Sequence, residues 1–340
     1  MKKSFRIFAI TLLAAVMISA IGVAVVRHDN VTYSDIYDVF RKGISLGEPL
    51  FQYELPDRTD MSGFPELTDK TYVIYQLNDF NTIETQLEYC TLEVVGGTQK
   101  DVLTVSFGCL DDDILDGAVF NTAVKDGTLY IQNECTEKKP LSSDRIKIII
   151  SIPDNYKGGY TIKADRSDIA VTNTESTMDM ELSLHNCKIS AENISASNIT
   201  AELGNTSAEL TGISSHDIIS VKASSSEIKL HGVSAQYTKG MFSSTTLNAE
   251  NISGSFSCES DTSKLILDFG SVSGNINLKA NKCTINAFLP KGAPLTLRRE
   301  ERFSTFNNNT AITESEKNNK DTAYILETNV EFTIVTLEEK

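Results

Sequence analysis

The fold is decided by residues 191–253, which read AENISASNITAELGNTSAELTGISSHDIISVKASSSEIKLHGVSAQYTKGMFSSTTLNAENIS. This stretch begins and ends with the same pentapeptide, Ala-Glu-Asn-Ile-Ser, at Ala191–Ser195 and again at Ala249–Ser253. Weaker copies of the pattern lie between them, at Leu210–Ser214 and Leu230–Ser234. Self-similarity at a fixed spacing indicates structural repeats that stack on one another.

The repeat aligns apolar residues into columns with a spacing of about 19–20 residues. The first predicted column comprises Ile194, Ile213, Val233, Ile252 and Val272. The second comprises Ala191, Leu210, Leu230, Ala249, Phe269 and Phe288, and the third comprises Ile189, Ala208, Ile228, Leu247 and Leu267. A residue suited to a positive φ precedes the first column, at Asn193, Gly212, Gly232 and Asn251. We expect the chain to turn a corner at each of these positions.

Two short alternating stretches in each period predict an all-β fold, a β-solenoid or β-helix-like stack of rungs of about 19–20 residues. Each strand points every second side chain inward, and stacking at about 4.8 Å aligns like residues. One rung alone cannot offset the entropy lost by its own backbone, so the neighbouring rungs must stabilise it. A β-sandwich of antiparallel strands is the competing fold, although it does not require columns at a fixed interval.

The flanking segments are expected to close the stack. Leu103, Val105 and Phe107 alternate with small polar residues, and Arg145–Pro153 reads as a strand that ends at a proline. We expect the less regular strands between Tyr72 and Pro153 to close one end. At the other end, Ile325–Leu337 is predicted to be a final capping strand, preceded by a polar loop at Asn307–Asp321.

The amino-terminal segment predicts the compartment. Ile7–Val26 carries no charge and would span about 30 Å as a helix, which is the thickness of a bilayer core. The basic residues Lys2, Lys3 and Arg6 precede this segment and favour a cytoplasmic amino end, with the bulk of the chain extracytoplasmic. A cleaved signal peptide is the alternative, because Ala20–Ala24 offers small residues at suitable spacing.

The chain therefore divides into three predicted regions. Residues 1–26 are a transmembrane anchor or signal peptide, and residues 27–71 are a short helix at Ser34–Gly43 followed by a linker. Residues 72–340 are the exported β-solenoid domain. The 31 basic and 46 acidic side chains give a net charge of −15, which excludes nucleic acid as a partner.

The order of several short motifs resembles that of a bacterial family. The motifs are Phe80–Glu84, Leu92–Val94, Asp101–Val105, Gly127–Ile131, Ile148–Pro153 and Leu289-Pro290. Over roughly Tyr72 to Leu337, the chain resembles the putative-adhesin family of β-strand-repeat proteins known as the DUF4097 domain. It departs from the family where Arg166-Ser167-Asp168-Ile169 replaces Ser-Gly-Asp-Ile. The resemblance implies a cell-envelope protein with no catalytic residues to carry over.

Residues that could support chemistry are few. His28, His185, His216 and His231 are scattered, and an exposed position in a repeat strand is expected for His185 and His231. The acidic run Asp111–Asp116 has oxygen ligands for calcium, but Leu115 interrupts the pattern of a calcium loop, so a solvated turn is favoured. We therefore assign no catalytic, cofactor-binding or metal-binding residue.

The cysteines and the Asn-x-Ser/Thr sites are interpreted structurally. The cysteines are Cys90, Cys109, Cys135, Cys187, Cys258 and Cys283. Buried thiols are favoured over disulfides, and Cys90–Cys109 is the first pairing to test. The Asn-x-Ser/Thr sites are Asn193, Asn198, Asn205 and Asn251. Because Asn193 and Asn251 occupy the repeat corner, a structural role is favoured over glycosylation.

The sequence predicts a non-enzymatic, membrane-anchored, adhesin-like binding or scaffolding module at the cell envelope. The expected partner is a cell-envelope protein or an uncharged wall glycan, and no cofactor is expected. Regulation of an envelope-stress pathway is a further hypothesis that rests on the resemblance. The alternative is a polysaccharide-acting enzyme on a β-helix scaffold, which would need carboxylates from successive rungs converging in a groove. Glu192, Glu209, Lys229 and Glu250 are instead predicted to form an evenly spread column.

Overall fold

A computed structural model describes residues 66–67, 72–98, 102–109, 118–135, 146–312, 314 and 324–340. All of them belong to Leu55–Lys340, one of the two units into which the chain divides. Within these ranges the chain is all-β apart from a single 3-10 turn at Leu77–Asp79. None of the described residues forms a helix with the length and apolar character needed to cross a bilayer. The predicted anchor Ile7–Val26 and the predicted helix Ser34–Gly43 lie outside the described residues.

The strands fall into an amino-terminal set, a regular middle set and a carboxyl-terminal set. The first set is β1 Glu66–Leu67, β2 Tyr72–Gln76, β3 Thr82–Glu88, β4 Thr91–Thr98, β5 Val102–Cys109, β6 Ala118–Lys125, β7 Thr128–Cys135, β8 Ile146–Pro153 and β9 Gly159–Asp165. The middle set is β10 Asp168–Glu175, β11 Met180–His185, β12 Lys188–Gly204, β13 Ser207–Ser224, β14 Glu227–Ser243, β15 Thr246–Asp261, β16 Lys264–Phe269, β17 Ile276–Asn281 and β18 Thr284–Leu289. The last set is β19 Leu295–Arg302, β20 Thr305–Asn309, β21 Tyr324–Glu331 and β22 Ile334–Glu339.

The middle strands stack in parallel, one rung above the next. β12, β13, β14 and β15 pair so that Ile213 lies between Ile194 and Val233, and Val233 pairs in turn with Ile252. These residues are all buried, and each rung in this region advances the chain by the predicted period. The prediction that residues one period apart lie over each other is confirmed for these rungs.

Each rung turns at two corners with a left-handed backbone. The first corner contains Asn193, Gly212, Gly232 and Asn251, whose φ values are 56°, 65°, 71° and 55°, as predicted. The second corner contains Asn186, Asn205, Ser225, Ser244, Thr262 and Lys282, with φ values between 49° and 53°. Only the first of these corners was predicted. The strand continues through the first corner, although the corner residues themselves are left out of the ladder, whereas each strand ends at the second corner. There backbone hydrogen bonds such as Asn205 N to Ser224 O, at 2.9 Å, join the rungs.

The predicted columns fail beyond β15. Leu247 pairs with Leu265, Ala249 with Leu267, and Ile252 with Phe269. The predicted positions of Val272 in the first column, Phe269 and Phe288 in the second, and Leu267 in the third are therefore wrong. The rung that leads from Thr246 to Lys264 is shorter than the predicted period. At Leu267 and Phe269 the slip is by two positions, which keeps the side chains on the same face, so the apolar alternation does not reveal it. Phe288 differs, because Leu267 pairs with Ala287, one position earlier, and Phe288 therefore lies on the opposite face of the strand.

Antiparallel strands close the amino-terminal end of the stack. β7 and β8 pair in parallel with β3 and β4, and β6 and β5 then pair antiparallel with β7 and β8. The short strands β1 and β2 pair antiparallel with β6 and β5. Leu103, Val105 and Phe107 are buried in this cap as their alternation predicts. The prediction that the strands between Tyr72 and Pro153 close one end is confirmed.

The carboxyl-terminal end corrects the sequence prediction. Ile325–Leu337 forms not a final strand but two strands, β21 and β22, which pair with β17 and β18 on one side and with β19 and β20 on the other. The last rung is therefore β19 with β20, and Asn307–Asn309 of the predicted loop belong to β20. The prediction is wrong because it assumed that strands stack in the order in which they occur in the chain. β21 and β22 follow β19 and β20 in the sequence but lie beneath them in the stack.

Candidate binding surface

A column of small hydroxyl and thiol side chains follows the second corner through the stack. We call it the corner column, and in stacking order it is Cys90, Ser167, Cys187, Thr206, Ser226, Thr245, Ser263, Cys283, Thr333 and Ser304. All of its members except Ser304 are buried. Their side chains bond to backbone groups of the corner, as where Thr206 N donates to Ser226 Oγ at 3.1 Å and that hydroxyl donates to Ser224 O at 2.8 Å.

The corner column explains three of the cysteines. Cys187 Sγ donates to His185 O at 3.2 Å, and Cys283 Sγ accepts from Ser263 N at 3.4 Å while donating to Asn281 O at 3.1 Å. A thiol thus occupies the place of a hydroxyl. Burial raises the pKa of the Cys187 thiol to about 12. Buried thiols at Cys90, Cys187, Cys258 and Cys283 agree with the prediction, whereas the side chains of Cys109 and Cys135 lie outside the described part of the chain.

The proposed Cys90–Cys109 pairing is wrong, because β8 lies between β4 and β5. Thr91 is opposite Lys147, and Cys109 is opposite Ile146 on the other side of β8. Two strand spacings of about 4.8 Å separate the two cysteine backbones by about 10 Å. That distance exceeds the roughly 7 Å that a disulfide can bridge. The Cys90 sulfur lies instead 3.7 Å from Ser167 Oγ.

The predicted acidic column is two columns. Glu192 lies in line with Thr211, His231 and Glu250, whereas Glu209 is opposite Lys229 in the next column. Glu192 and Glu250 are three rungs apart, about 14 Å at the usual strand spacing. His231 Nδ1 lies 3.2 Å from Glu250 Oε2, and both side chains are largely exposed.

Metal and histidine chemistry gains no support within the described ranges. No group of three or more His, Cys, Asp or Glu side chains among those residues could hold a metal ion. His216 is exposed in β13. The expectation that His185 is exposed is wrong, because it is half-buried in β11 beside Gly204. His28 and the acidic run Asp111–Asp116 lie outside the described residues.

The Asn-x-Ser/Thr asparagines take part in contacts between rungs. Asn193 Nδ2 donates to Asn173 Oδ1 at 3.0 Å, and Asn205 Nδ2 donates to Asn186 Oδ1 at 2.7 Å. Asn198 Nδ2 donates to Asp179 Oδ1 at 2.8 Å. These side chains occupy left-handed corners or join adjacent rungs, which supports the structural interpretation of these sites.

The interior has little space for a ligand. A cavity between β10 and β14 has a volume of about 20 Å³ and an entirely apolar lining, which includes Ala191, Ala201 and Ile213. Ligand sites for small molecules usually have volumes of about 300–1,000 Å³. This cavity is therefore a packing gap.

The two most exposed large apolar side chains of the described residues, Phe303 and Phe332, meet beside Ile334 at one corner of the last two rungs. We call Phe303, Phe332 and Ile334 the aromatic corner; their exposed fractions are 83%, 53% and 49%. The two phenyl rings stack with centroids 5.2 Å apart and planes at 11°. Phe332 N donates to Arg302 O at 3.0 Å, which holds the two corners on adjacent rungs. Both phenylalanines continue the line of second-corner residues beyond Lys282, with φ values of 50° and 47°.

Phenylalanine is costly at this position. A left-handed backbone costs a residue with a Cβ roughly 1–2 kcal/mol, and asparagine tolerates it best. The middle rungs place Asn186 and Asn205 there, with serine and threonine after them. Tyr89, Arg166 and Lys282 also occupy this corner, so the fold accepts several residue types there and does not itself call for two exposed, stacked phenyl rings. The sequence contained a signal for the second corner, because each left-handed residue is followed by Ser, Thr or Cys, as in Phe303-Ser304 and Phe332-Thr333.

The strand register defines an all-β protein of stacked rungs. The chain belongs to the Toastrack DUF4097 family, whose model matches residues 116–292, just over half of the 340 residues. The family resemblance seen in the sequence is confirmed. No curated protein matches the chain.

Several solved structures resemble the chain at low identity. A putative adhesin from Bacteroides fragilis is 13% identical, with 78% of this chain and 96% of that one covered and a TM-score of 0.42. A putative cell adhesion protein from Clostridium sporogenes is 12% identical, with coverages of 81% and 100% and a TM-score of 0.22. A putative lipid binding protein from Parabacteroides distasonis is 14% identical, with coverages of 79% and 96% and a TM-score of 0.39.

Proposed function

We propose that the protein is a non-enzymatic, adhesin-like binding module at the bacterial cell envelope and that the aromatic corner is its contact with a partner. The finer architecture in this proposal is a β-solenoid held at the membrane by one amino-terminal transmembrane helix, with the bulk of the chain extracytoplasmic. A role in envelope-stress signalling would follow if the partner is a membrane regulator.

The exposure of the aromatic corner carries this proposal. Aromatic side chains dominate the contacts that stabilise interfaces, and a ring left in water at a strained position needs a reason outside the fold. Phe303 and Phe332 combine exposure to water with a left-handed backbone. A partner that covers the two rings would recover apolar burial worth about 25 cal/mol per Å².

The chemistry of the corner favours a protein partner over a glycan. Phe303, Phe332 and Ile334 carry no hydrogen-bonding side-chain group, whereas sugar recognition requires partners for many hydroxyls. Apolar side chains of a cell-envelope protein match these three residues. An uncharged wall glycan is the competing partner, and nucleic acid is disfavoured by the negative charge.

The ion pairs of the described carboxylates support a non-enzymatic role. Many of them are paired with cations of an adjacent rung, as in Lys147–Glu93 at 2.7 Å and Lys163–Glu84 at 2.6 Å. The same holds for Lys222–Glu202 and Lys279–Glu259, both at 3.3 Å. Carboxylates that neutralise neighbouring lysines in line with the stack are suited to holding rungs together.

Site-specific photo-cross-linking on intact cells tests the contact. A photoreactive residue replaces Phe303 in one chain and Tyr237 in a matched control, since Tyr237 is also exposed (38%) but lies on β14. We expect a discrete protein adduct from position 303, and we expect Phe332→Ser in the same chain to abolish it. Equal capture from both positions, or capture that survives Phe332→Ser, would refute the contact. An adduct removed by wall-degrading enzymes but not by protease would assign the glycan instead.

Fractionation tests the proposed location. A tag after Lys340 should be digested by protease added to cells from which the outer wall layers have been removed, and the chain should sediment with membranes. Deletion of residues 7–26 should leave the protein in the cytoplasm. A protected tag in the intact chain would rule out extracytoplasmic display, and a soluble exported product would indicate signal-peptide cleavage.

A further inference from the structure

The last rung differs from every other described rung in what it points into the core. Two inward columns lie in the part of each rung that leads into the second corner. One of them is Leu182, Ala201, Val221, Gly240, Cys258, Leu278, Thr328 and Arg299. The next inward column is Leu184, Leu203, Ala223, Phe242, Ser260, Ala280, Val330 and Glu301. In these two columns, charged residues occur only in the last rung, β19.

Arg299, one of the two inward charges of the last rung, pairs with Glu314 of the following chain and lies near Glu301, the other. Arg299 Nε lies 2.9 Å from Glu314 Oε1, and an Arg299 terminal nitrogen lies 4.0 Å from Glu301 Oε1. The Arg299 guanidinium also stands 5.4 Å from the centre of the Phe306 ring, which covers the interior from β20. Arg299 and Glu301 both remain exposed. The end of the stack is therefore finished with charge and one aromatic ring.

β20, the other strand of the last rung, also carries a polar side chain at an inward position. Asn308 stands over Leu337 in the inward line of β20. Its side chain turns back on its own loop, with Nδ2 donating to Ile312 O at 3.0 Å and Oδ1 accepting from Thr310 N at 3.1 Å. A parallel bridge from Leu297 to Glu314 brings the following chain alongside β19. Three inward positions thus carry polar groups where the rung beneath carries Thr328, Val330 and Leu337.

Addition of another chain at this end would bury these groups. A charge taken into an apolar interior without a partner costs several kcal/mol, and inward-pointing charges on an edge strand are a recognised defence against strand addition. At the opposite end, antiparallel strands already close the stack. An exposed parallel edge ending in apolar residues would otherwise pair with a second copy in an antiparallel, isologous contact.

We propose that the last rung is a built-in stop, in which Arg299, Glu301 and Asn308 prevent a second copy of this chain from docking on the end of the stack. The stop also keeps Phe303, which belongs to the same rung, open to solvent. It is independent of the proposed binding function, because it concerns the outer edge of β19 and β20 and not the partner of the aromatic corner.

The stop is tested by replacing the inward polar residues of the last rung with the residues that the rung beneath carries at the paired positions. The variant Arg299→Thr/Glu301→Val/Asn308→Leu copies Thr328, Val330 and Leu337 into the terminal positions. The control variant Glu300→Val/Arg302→Thr makes comparable changes at outward, exposed positions of the same strand. Each full-length chain is purified in the same mild detergent, so that residues 7–26 contribute equally to all variants.

Protein mass is measured by light scattering over about a hundredfold range of concentration. We expect the wild type and the control to keep the monomer mass and the triple variant to rise towards twice that value. A triple variant that has native circular dichroism and stays monomeric would overturn the proposal. Wild-type dimers that cross-link through β19 would overturn it as well. If the triple variant does not fold, Glu301→Val alone, which keeps the Arg299–Glu314 pair, must show weaker but concentration-dependent association.

Discussion

Replacing Ser226 in the corner column tests whether this column holds the rungs in register. Its hydroxyl accepts from Thr206 N at 3.1 Å and donates to Ser224 O at 2.8 Å, and the residue is 6% exposed. Ser226→Ala removes a hydrogen bond worth about 0.5–1.5 kcal/mol and leaves a buried N–H unpaired, which costs about 1–3 kcal/mol more. We therefore expect Ser226→Ala to lower the free energy of unfolding by about 2–4 kcal/mol.

The matched variant Ser226→Cys separates hydrogen bonding from packing. At Cys283 a thiol accepts from Ser263 N and donates to Asn281 O, so a sulfur can replace the hydroxyl in both bonds. We expect Ser226→Cys to cost less than about 1 kcal/mol, near the size of one net hydrogen bond. Ser234→Ala, at an exposed position of β14, is the surface control and should stay within about 0.5 kcal/mol of the wild type.

Urea unfolding of the full-length chain, followed by circular dichroism, measures these differences. The slope of free energy against urea should be the same in all variants, because a changed slope would mean that rungs unfold separately. The reasoning is refuted if Ser226→Ala is no worse than Ser234→Ala. It is equally refuted if Ser226→Cys is as destabilising as Ser226→Ala, because the column would then not depend on a hydrogen-bonding atom.

Three further outcomes are expected. Ile213→Ala should lower the free energy of unfolding by about 2–5 kcal/mol, because Ile213 is buried between two rungs. Ile218→Ala, at an exposed position of the same strand, should change it by less than about 0.5 kcal/mol. Equal urea midpoints for the two variants would contradict the stacking. Gly240→Ala should cost about 1–3 kcal/mol, since its Cβ would overlap the Phe242 ring, and unchanged thermal melting would show that the ring can move. Burial raises the pKa of Cys187 from 9.0 to about 12, so between these pH values the folded thiol keeps its proton and the unfolded thiol loses it. The contribution of the thiol to stability is therefore complete below pH 9 and falls between pH 9 and 12, so the wild type should become less stable relative to Cys187→Ser as the pH rises through this window. A difference in melting temperature that stays constant from pH 9 to 12 would exclude the effect.

The columns from Ile194 to Ile252 could be predicted because they depend on alternation and period. Both features are properties of the chain alone, since inward residues must be apolar and rungs of equal length repeat them. The register beyond β15 could not be predicted, because the shortened step to Lys264 preserves the inward and outward sense of the residues in β16. Backbone pairing decides that Leu265 lies over Leu247 and Leu267 over Ala249, and the hydropathy pattern does not encode this register.

The candidate surface was less accessible to sequence reasoning. Phe303 and Phe332 look like core residues when judged by type, and their exposure follows from the left-handed corner that they occupy. The inward direction of Arg299 depends on β19 lying over β21, a neighbour that follows only after the intervening loop. Cys90 and Cys109 flank a strand that arrives only after Arg145, so local alternation gave no warning that β8 would separate them.

The insertion of β21 and β22 beneath β19 and β20 has a consequence for synthesis. The residues of β19 and β20 leave the ribosome before the rung on which they must rest, and Thr284 has no strand partner on that side until Ile334 has been made. Until then the edges of β17 and β18 are bare and attractive to other extended chains. β19 and β20 can therefore add to the stack only after β21 and β22, the strands with which they pair, have been synthesised. Premature termination near Thr310 would leave both layers without the partner that joins them.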